Sequence, residues 1–171
     1  MDFWVRNPDY LAEELLDAYQ ATGYGSYLEM AEAIFQNEEP DLRRIPMIRY
    51  FFGAYERLDD TLSLLRSREL IRISGAKKGL KVTETDFLLT EKGGQFCLRC
   101  LKEAPVLSWY SERAELVASL AGDRSGSALK QKQYEHASYA QTEYGGIIPS
   151  IASETSERIK QLKILAQGSN G

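Results

Sequence analysis

The stretch Leu62 to Gln95 decides the fold, through the segments LSLLRSRELIRISG (62–75), KKG (77–79) and DFLLTEKGGQ (86–95). Its first leucines keep helical spacing, whereas Leu70-Ile71-Arg72-Ile73 is short and rich in residues that favour a strand. The basic segment with glycine that follows predicts a turn. Phe87-Leu88-Leu89 then predicts a return strand, and Thr90 is a suitable N-cap for a new helix. The stretch therefore predicts a helix, a β-hairpin and a second helix.

Helical patterns flank this stretch on both sides. Asn7-Pro8-Asp9 predicts a helix start, a further helix is expected at about 26–37, and another begins near Pro46, although whether 43–68 forms two helices or one bent helix stays open. Beyond the hairpin, Pro105 opens a helix, residues 122–127 predict a hinge of small polar residues, and a last helix follows Gly145-Gly146. We therefore expect a mainly α protein with a small β-hairpin.

Charge is segregated along the chain, although the formal net charge of the 171 residues is only −4. Residues 1–42 hold ten acidic groups and one basic, residues 43–102 hold thirteen basic and seven acidic, and residues 103–171 are close to neutral. A local excess of lysine and arginine attracts phosphates even in an acidic chain. The alternative is that the basic middle pairs with the acidic N-terminal third.

The order of elements in residues 26–100 resembles the winged helix-turn-helix family of DNA-binding regulators. In that family a leucine-rich turn ends the recognition helix, a Gly-Leu-Ile segment enters the first wing strand, and a Leu-Thr-x-x-Gly cap starts the following helix. The matching positions here are Leu64-Leu65 with Glu69-Leu70-Ile71, and Leu89-Thr90-Glu91-Lys92-Gly93. The resemblance implies a first helix at 26–37, a second at about 43–52, a recognition helix at about 57–68 and a wing tip at Ser74 to Lys81.

This resemblance implies duplex DNA as the partner. The residues expected to contact DNA are polar or basic and lie on the recognition helix or the wing: Arg57, Ser63, Arg66, Ser67, Arg68, Arg72, Lys77, Lys78 and Lys81. Two features depart from the family pattern, because Asp59 and Asp60 occupy the first turn of the recognition helix and Glu69 replaces the usual glycine. The alternative is a winged-helix adaptor that holds an acidic protein surface without contacting DNA.

The last helix predicts self-association. Ile151, Ile159, Leu162 and Leu165 form a narrow apolar stripe, which packs along a partner helix more readily than it fills a core. We therefore divide the chain into residues 1–102, with the acidic helices and the basic winged-helix module, and residues 103–171, a helical extension for homodimerisation. The alternative is that the stripe folds back onto the helix around Trp109 to Leu120.

The remaining patterns argue against enzymatic, metal and membrane functions. Cys97 and Cys100 have CxxC spacing, but a zinc site needs four ligands and the chain offers only His136 besides, so we interpret the cysteines as small core residues. No nucleophile motif accompanies His136. We therefore expect a non-enzymatic protein without a cofactor.

The sequence also bears on localisation. The start, Met1 to Asp9, lacks a signal-peptide pattern, and no apolar run is long enough to span a bilayer. We therefore expect a cytoplasmic protein without membrane contact.

Overall fold

The computed structural model describes residues 1–50, 53–54, 58–78 and 81–168. The described helices are α1 (Asp2–Arg6), α2 (Pro8–Thr22), α3 (Gly25–Gln36), α4 (Glu39–Arg43), α5 (Asp59–Ser67), α6 (Glu91–Glu103), α7 (Ser108–Ala121), α8 (Gly126–Glu135), α9 (Ala137–Ala140) and α10 (Ala152–Gly168), with a 3₁₀ turn at Pro105–Leu107. The described strands are β1 (Arg49–Tyr50), β2 (Gly53–Ala54), β3 (Ile71–Lys78) and β4 (Lys81–Leu89). Each strand pair forms a two-stranded antiparallel sheet. The prediction of a mainly helical chain with a small antiparallel hairpin is confirmed.

The chain divides into two compact units. The terminal unit comprises Met1–Glu56 together with Arg113–Gly171, and the hairpin unit comprises Arg57–Glu112. This grouping differs from the division into residues 1–102 and 103–171 that we expected from sequence order. The difference arises because the N-terminal helices pack with the last helix, which sequence order does not reveal.

The core of the terminal unit forms where α2 packs against α3 and α10. Leu11, Leu15 and Leu16 on α2 are fully buried there. Burial of one such side chain contributes about 1.5–3 kcal/mol to folding. The predicted helix start is present with Pro8 at the first helical position, but the Asn7 amide donates to the Phe3 carbonyl oxygen (2.9 Å) instead of capping α2.

A buried carboxylate on α2 fixes the start of α10. Asp9 is 1% exposed, and its Oδ2 accepts hydrogen bonds from the Ser150 hydroxyl (2.7 Å) and the Ile151 backbone N–H (2.9 Å). Ser150 in turn accepts from the Ala152 N–H (3.2 Å). One of the donors at this helix start, the Ile151 N–H, is thus satisfied by a residue about 140 positions away in the chain, which ties α10 to α2.

The prediction of a helix at about 43–52 is wrong for the described residues that follow Arg43. The structure ends α4 at Arg43, and residues 44–47 are non-helical before the short strand β1. The Arg49 N–H donates to Gly146 (3.0 Å), and the Gly145 N–H donates back to Arg49 (2.9 Å). Pro46 also disfavours a helical conformation at Ile45. Long-range strand pairing therefore replaces the helix that the apolar spacing predicted.

The hairpin unit follows the predicted order of helix, hairpin and helix. The helix expected at 57–68 is observed as α5, and the helix expected after Thr90 is observed as α6. The strands extend further than expected, because β3 continues to Lys78 and β4 begins at Lys81, so residues 74–78 are strand and not turn. The helix at 25–36, which the resemblance assigned to the winged helix, belongs to the terminal unit.

The hairpin unit buries few of its own side chains. Among its residues whose side chains are described, only Ile71 and Gly93 are buried. Its exposed large apolar residues include Leu64, Ile73, Phe87, Leu88, Leu89, Phe96, Leu98 and Val106. Within the described parts of both units, no helix combines the length and the apolar character that crossing a membrane requires.

Candidate nucleic-acid interface

A tight turn ends α5 and leads the chain into β3. The Leu70 N–H donates to the Leu65 carbonyl (2.9 Å) and the Glu69 N–H donates to the Arg66 carbonyl (2.9 Å), which is the pattern of a Schellman cap. Glu69 has φ = 61°, in the left-handed region that favours glycine. The glutamate therefore makes the turn for which the family pattern has a glycine.

The β3–β4 hairpin presents two different faces. Ile71 pairs with Leu89, and Ile73 pairs with Phe87, so these four residues share one apolar face. The intervening pairs, Arg72 with Leu88 and Ser74 with Asp86, lie on the other face. Arg72 is exposed there.

The start of α6 is held against the end of α5. The Thr90 Oγ1 caps α6 by accepting from the Gly93 N–H (3.0 Å), and the Thr90 N–H donates to the Leu70 carbonyl (3.1 Å). The Lys92 ammonium forms an ion pair with Glu69 (3.0 Å) in which both side chains are exposed. The Leu-Thr-x-x-Gly segment thus joins the cap of α5 to the N-terminus of α6.

These elements surround an open cleft of about 640 Å³. Its lining residues are Arg66, Glu69, Ile71, Arg72, Ile73, Thr90, Glu91 and Lys92. Arg66 and Arg72 are exposed, and no described carboxylate forms an ion pair with either. The N-terminal end of α6 adds partial positive charge to the same cleft. Three cations, Arg66, Arg72 and Lys92, thus line the cleft with two carboxylates, Glu69 and Glu91, and the excess positive charge suits an anionic group such as a phosphate.

The structure brings several of the predicted DNA-contacting residues together on the hairpin unit. Ser63, Arg66, Ser67 and Arg68 are exposed on α5 or its cap, and Arg72 is exposed on β3. The Ser67 hydroxyl already donates to the Leu64 carbonyl (2.8 Å). Lys77, Lys78 and Lys81 end the two strands next to the hairpin tip, whereas Arg57 lies outside the described residues. Sequence reasoning missed Lys92, for which the Leu-Thr-x-x-Gly segment itself was the signal.

The two carboxylates that depart from the family pattern lie at the other end of α5. Asp59 and Asp60 occupy its first turn, where negative charge stabilises a helix through its dipole. Arg66 lies seven positions after Asp59, which is about 10 Å along a helix axis. The acidic and the basic ends of α5 are therefore distinct surfaces.

Part of the basic middle segment has a structural role in the terminal unit. The Arg49 guanidinium donates to the carbonyl oxygens of Ala140 (2.7 Å) and Thr142, and it lies 5.3 Å from the Tyr134 ring centroid. The hairpin unit itself, residues 57–112, holds ten basic and eight acidic residues. The net positive charge of residues 43–102 is thus divided between the two units. Only the basic residues of the hairpin unit contribute to the charge of the cleft.

The stripe predicted to mediate dimerisation is largely occupied within the chain. Ile151, Ile159 and Leu162 are buried in the core of the terminal unit, whereas Leu165 is 65% exposed. The principal packing partners of α10 are α2 and α3, and Val117, from the helix around Trp109 to Leu120, lies in the same core. Of the four residues, Leu165 alone offers an exposed side chain to a second copy. Homodimerisation stays a prediction, but the buried Ile151, Ile159 and Leu162 are not available to form its interface.

A network of charges fastens α10 and α8 to α2. Asp17 on α2 accepts from Arg158 (2.9 Å) and from Lys132 (3.1 Å). Burial raises the pKa of Asp17, but these two hydrogen bonds outweigh it, so the pKa lies below its ordinary value. Burial lowers the pKa of Lys132, but hydrogen bonds to Glu135 and Asp17 raise it well above its ordinary value. Both groups therefore stay charged at neutral pH.

The only histidine belongs to the same network. Its Nε2 lies 3.1 Å from Oε1 of Glu14, a carboxylate that is 3% exposed, and its ring lies edge-on to Tyr10. His136 also precedes α9 as the N-cap residue. These contacts give His136 a structural role between α2 and α9.

The two cysteines are not core residues, which corrects our interpretation of them. Cys97 is exposed and Cys100 is half-buried on α6, and neither forms a disulfide. Outside the gaps in the description, no group of three or more His, Cys, Asp or Glu side chains is placed to hold a metal ion.

Comparison with known proteins does not assign the chain to a family. The chain matched no protein-family model, and neither the curated proteins nor the solved structures contained a significant match.

Proposed function

We propose that the chain is a non-enzymatic DNA-binding protein, a transcriptional regulator that contacts duplex DNA through the hairpin unit used as a winged helix. The observation that carries this proposal is the cleft in which Arg66 and Arg72 are exposed beside the N-terminus of α6. Arginine binds phosphate through two parallel hydrogen bonds, and a helix N-terminus favours negative charge. The cleft thus offers two kinds of phosphate contact side by side.

The hairpin extends this surface. β3 has eight residues, which corresponds to a reach of about 25 Å. Lys77 and Lys78 are the last residues of β3 and Lys81 is the first residue of β4, so their backbone lies at the far end of the hairpin from α5. Phosphate contacts of this kind position a protein on the duplex but carry no sequence information.

The acidic end of α5 determines which part of the helix approaches DNA. Asp59 and Asp60 would face phosphates if the first turn entered the major groove, which Coulomb repulsion disfavours. Arg66 and Arg68, at the opposite end, are free of that repulsion. We therefore infer that the C-terminal end of α5 and its cap approach the duplex, with Arg66 the residue best placed to reach a base edge.

A salt series on the full chain tests the proposal. Fluorescence anisotropy with a labelled random duplex should give an association constant whose logarithm falls linearly with the logarithm of the salt concentration. The variant Lys77→Ala with Lys78→Ala should weaken binding to all sequences alike and flatten the slope. Arg66→Ala should instead alter sequence preference. Absence of saturable binding at low salt would overturn the proposal.

A second function, an adaptor that binds an acidic protein surface, is favoured by one observation. The hairpin unit exposes Phe87, Leu88 and Leu89 next to its basic residues, and such a mixed surface is typical of protein interfaces. The adaptor predicts no saturable anisotropy change with duplex at any salt concentration. The same titration therefore separates the two functions.

A further inference from the structure

Two cysteines, Cys97 and Cys100, lie about one turn apart on α6, and neither belongs to the core. Cys97 is exposed, Cys100 is half-buried, and both are reduced. Cysteine is among the residues most often fully buried, so a pair outside the core is unusual. Residues three apart on a helix are surface neighbours, with Cβ atoms about 5–6 Å apart. The two thiols can therefore act on one ligand.

Helix geometry favours a metal over a disulfide between these thiols. A disulfide brings the two Cβ atoms to about 3.5–4.5 Å, which is closer than the spacing of about 5–6 Å in an intact helix. A tetrahedral zinc ion with Zn–S bonds of about 2.3 Å needs the sulfur atoms to be about 3.8 Å apart. Side-chain rotation can provide that separation while the α6 backbone stays in place.

One chain supplies only part of the ligand set. A structural zinc site uses four ligands, and the described part of the chain places no third His, Cys, Asp or Glu beside the two cysteines. The imidazole of His136 is already hydrogen-bonded to Glu14. A second copy related by a two-fold axis would present the same two thiols and complete the set of four.

The surroundings of the cysteines suit contact with a second copy. Phe96 and Cys100 are four residues apart and share one side of α6, as do Cys97 and Leu101. Phe96 is 41% exposed, with the Arg99 guanidinium over its ring, and Leu98 and Val106 are more exposed still. Pairing two copies here would cover apolar surface and shield the metal–sulfur bonds from water.

We propose that Cys97 and Cys100 of two chains bind one zinc ion in a tetrahedral site that links the copies through α6. Four Zn–S bonds form, and each of the four thiols releases its proton to solvent, so the step needs no oxidant or reductant. The α10 stripe is not required for this association, and the proposal does not depend on DNA binding.

Cobalt binding to the reduced 171-residue chain tests the site. Titration with Co²⁺ should produce the absorption of a tetrahedral thiolate complex and saturate at one ion per two chains. Light scattering with Zn²⁺ should show the mass of a dimer, and removal of zinc by a chelator should lower it to that of a monomer. Cys97→Ser and Cys100→Ser should each abolish the absorption and the dimer.

A matched variant on the same helix separates metal binding from damage to the fold. Gln95→Ala changes another exposed position of α6 and should behave like the parent in both experiments. Far-UV circular dichroism should show that both serine variants keep the parent helix content. Three results would each overturn the proposal: no thiolate absorption, saturation at one ion per monomeric chain, or unchanged metal binding in both serine variants.

Discussion

The carbonyl group of Leu70 occupies the space that a side chain on residue 93 would need. A Cβ built on Gly93 would lie less than 3.0 Å from the Leu70 oxygen and 3.1 Å from its carbonyl carbon. The Thr90 N–H donates to that same oxygen (3.1 Å), and the Thr90 hydroxyl donates to the Glu69 carbonyl (2.7 Å). The glycine and the threonine of one short motif thus hold α6 against the cap of α5, where the basic cleft forms.

Gly93→Ala is expected to destabilise the hairpin unit. Besides the Leu89 side chain, the nearest atoms are the backbone oxygen and carbon of Leu70, which cannot rotate away, so we expect a loss of about 1–3 kcal/mol, as for other overpacked sites. Gly94→Ala is the matched control, because a Cβ there meets nothing within 4 Å and alanine favours a helix by about 1 kcal/mol. Urea unfolding followed by circular dichroism should show opposite shifts for the two variants. Equal shifts would contradict the close approach of α6 to Leu70.

Glu69→Gly is expected to stabilise the cap of α5. A left-handed conformation costs a residue with a side chain roughly 1–2 kcal/mol, which glycine avoids. The exposed ion pair with Lys92 that this variant loses contributes about 0–1 kcal/mol. Glu69→Gln keeps the backbone strain and removes only the charge, so it isolates the ion pair. A midpoint of unfolding for Glu69→Gly at or below that of Glu69→Gln would rule out strain at this turn.

Two substitutions in the apolar stripe of α10 distinguish a role in the core from a role in a dimer interface. Ile159→Ala is expected to cost about 2–5 kcal/mol because its side chain is buried within the chain. Leu165→Ala, at an exposed position, is expected to change stability by less than about 0.5 kcal/mol. Thermal unfolding at several protein concentrations measures both variants. If Leu165→Ala instead lost much stability, and the loss depended on protein concentration, the stripe would be a dimer interface.

The contacts of Asp17 predict a loss of stability in acid. Since the folded pKa of Asp17 lies below its ordinary value near 3.9, its contribution is present above that value and disappears as pH falls through the folded pKa. Asp17→Asn should therefore be less stable than the parent at pH 7, and the difference should shrink as pH falls below about 4. Urea unfolding at pH 7, 5 and 3 measures this, with the exposed Asp123→Asn as control. A difference that stays constant over this range would exclude the ionised carboxylate as its cause.

Local sequence signals predicted the hairpin unit well because its elements depend on near neighbours. Thr90 caps α6 within one turn, and the strand-forming residues of 70–73 and 87–89 lie in the same hairpin. The positive φ of Glu69 is typical of the residue that follows a helix C-cap. The residue type does not indicate it, because a left-handed conformation is common for glycine and rare for glutamate.

Long-range pairing explains what the sequence did not reveal. Residues 44–50, within the helix expected at 43–52, are not helical because Arg49 pairs with Gly145 and Gly146, almost one hundred residues away. The periodicity of Ile151, Ile159 and Leu162 identified an apolar face correctly, but periodicity does not specify whether α2 or a second copy covers it. The spacing of Cys97, Cys100 and Leu101 predicts a shared helix face in the core, but a helix face can also lie outside the core, as the exposed side chain of Cys97 shows.

The salt dependence of duplex binding in matched charge variants tests the account most directly. Arg72→Ala removes one exposed cation of the cleft, and Lys160→Ala removes one exposed cation from the terminal unit. Each lost phosphate contact should make the plot of log K against log salt less steep by about 0.9. The account predicts a slope less steep by about 0.9 for Arg72→Ala and unchanged for Lys160→Ala. Equal slopes in the parent and both variants, or no duplex binding by the parent at low salt, would contradict it.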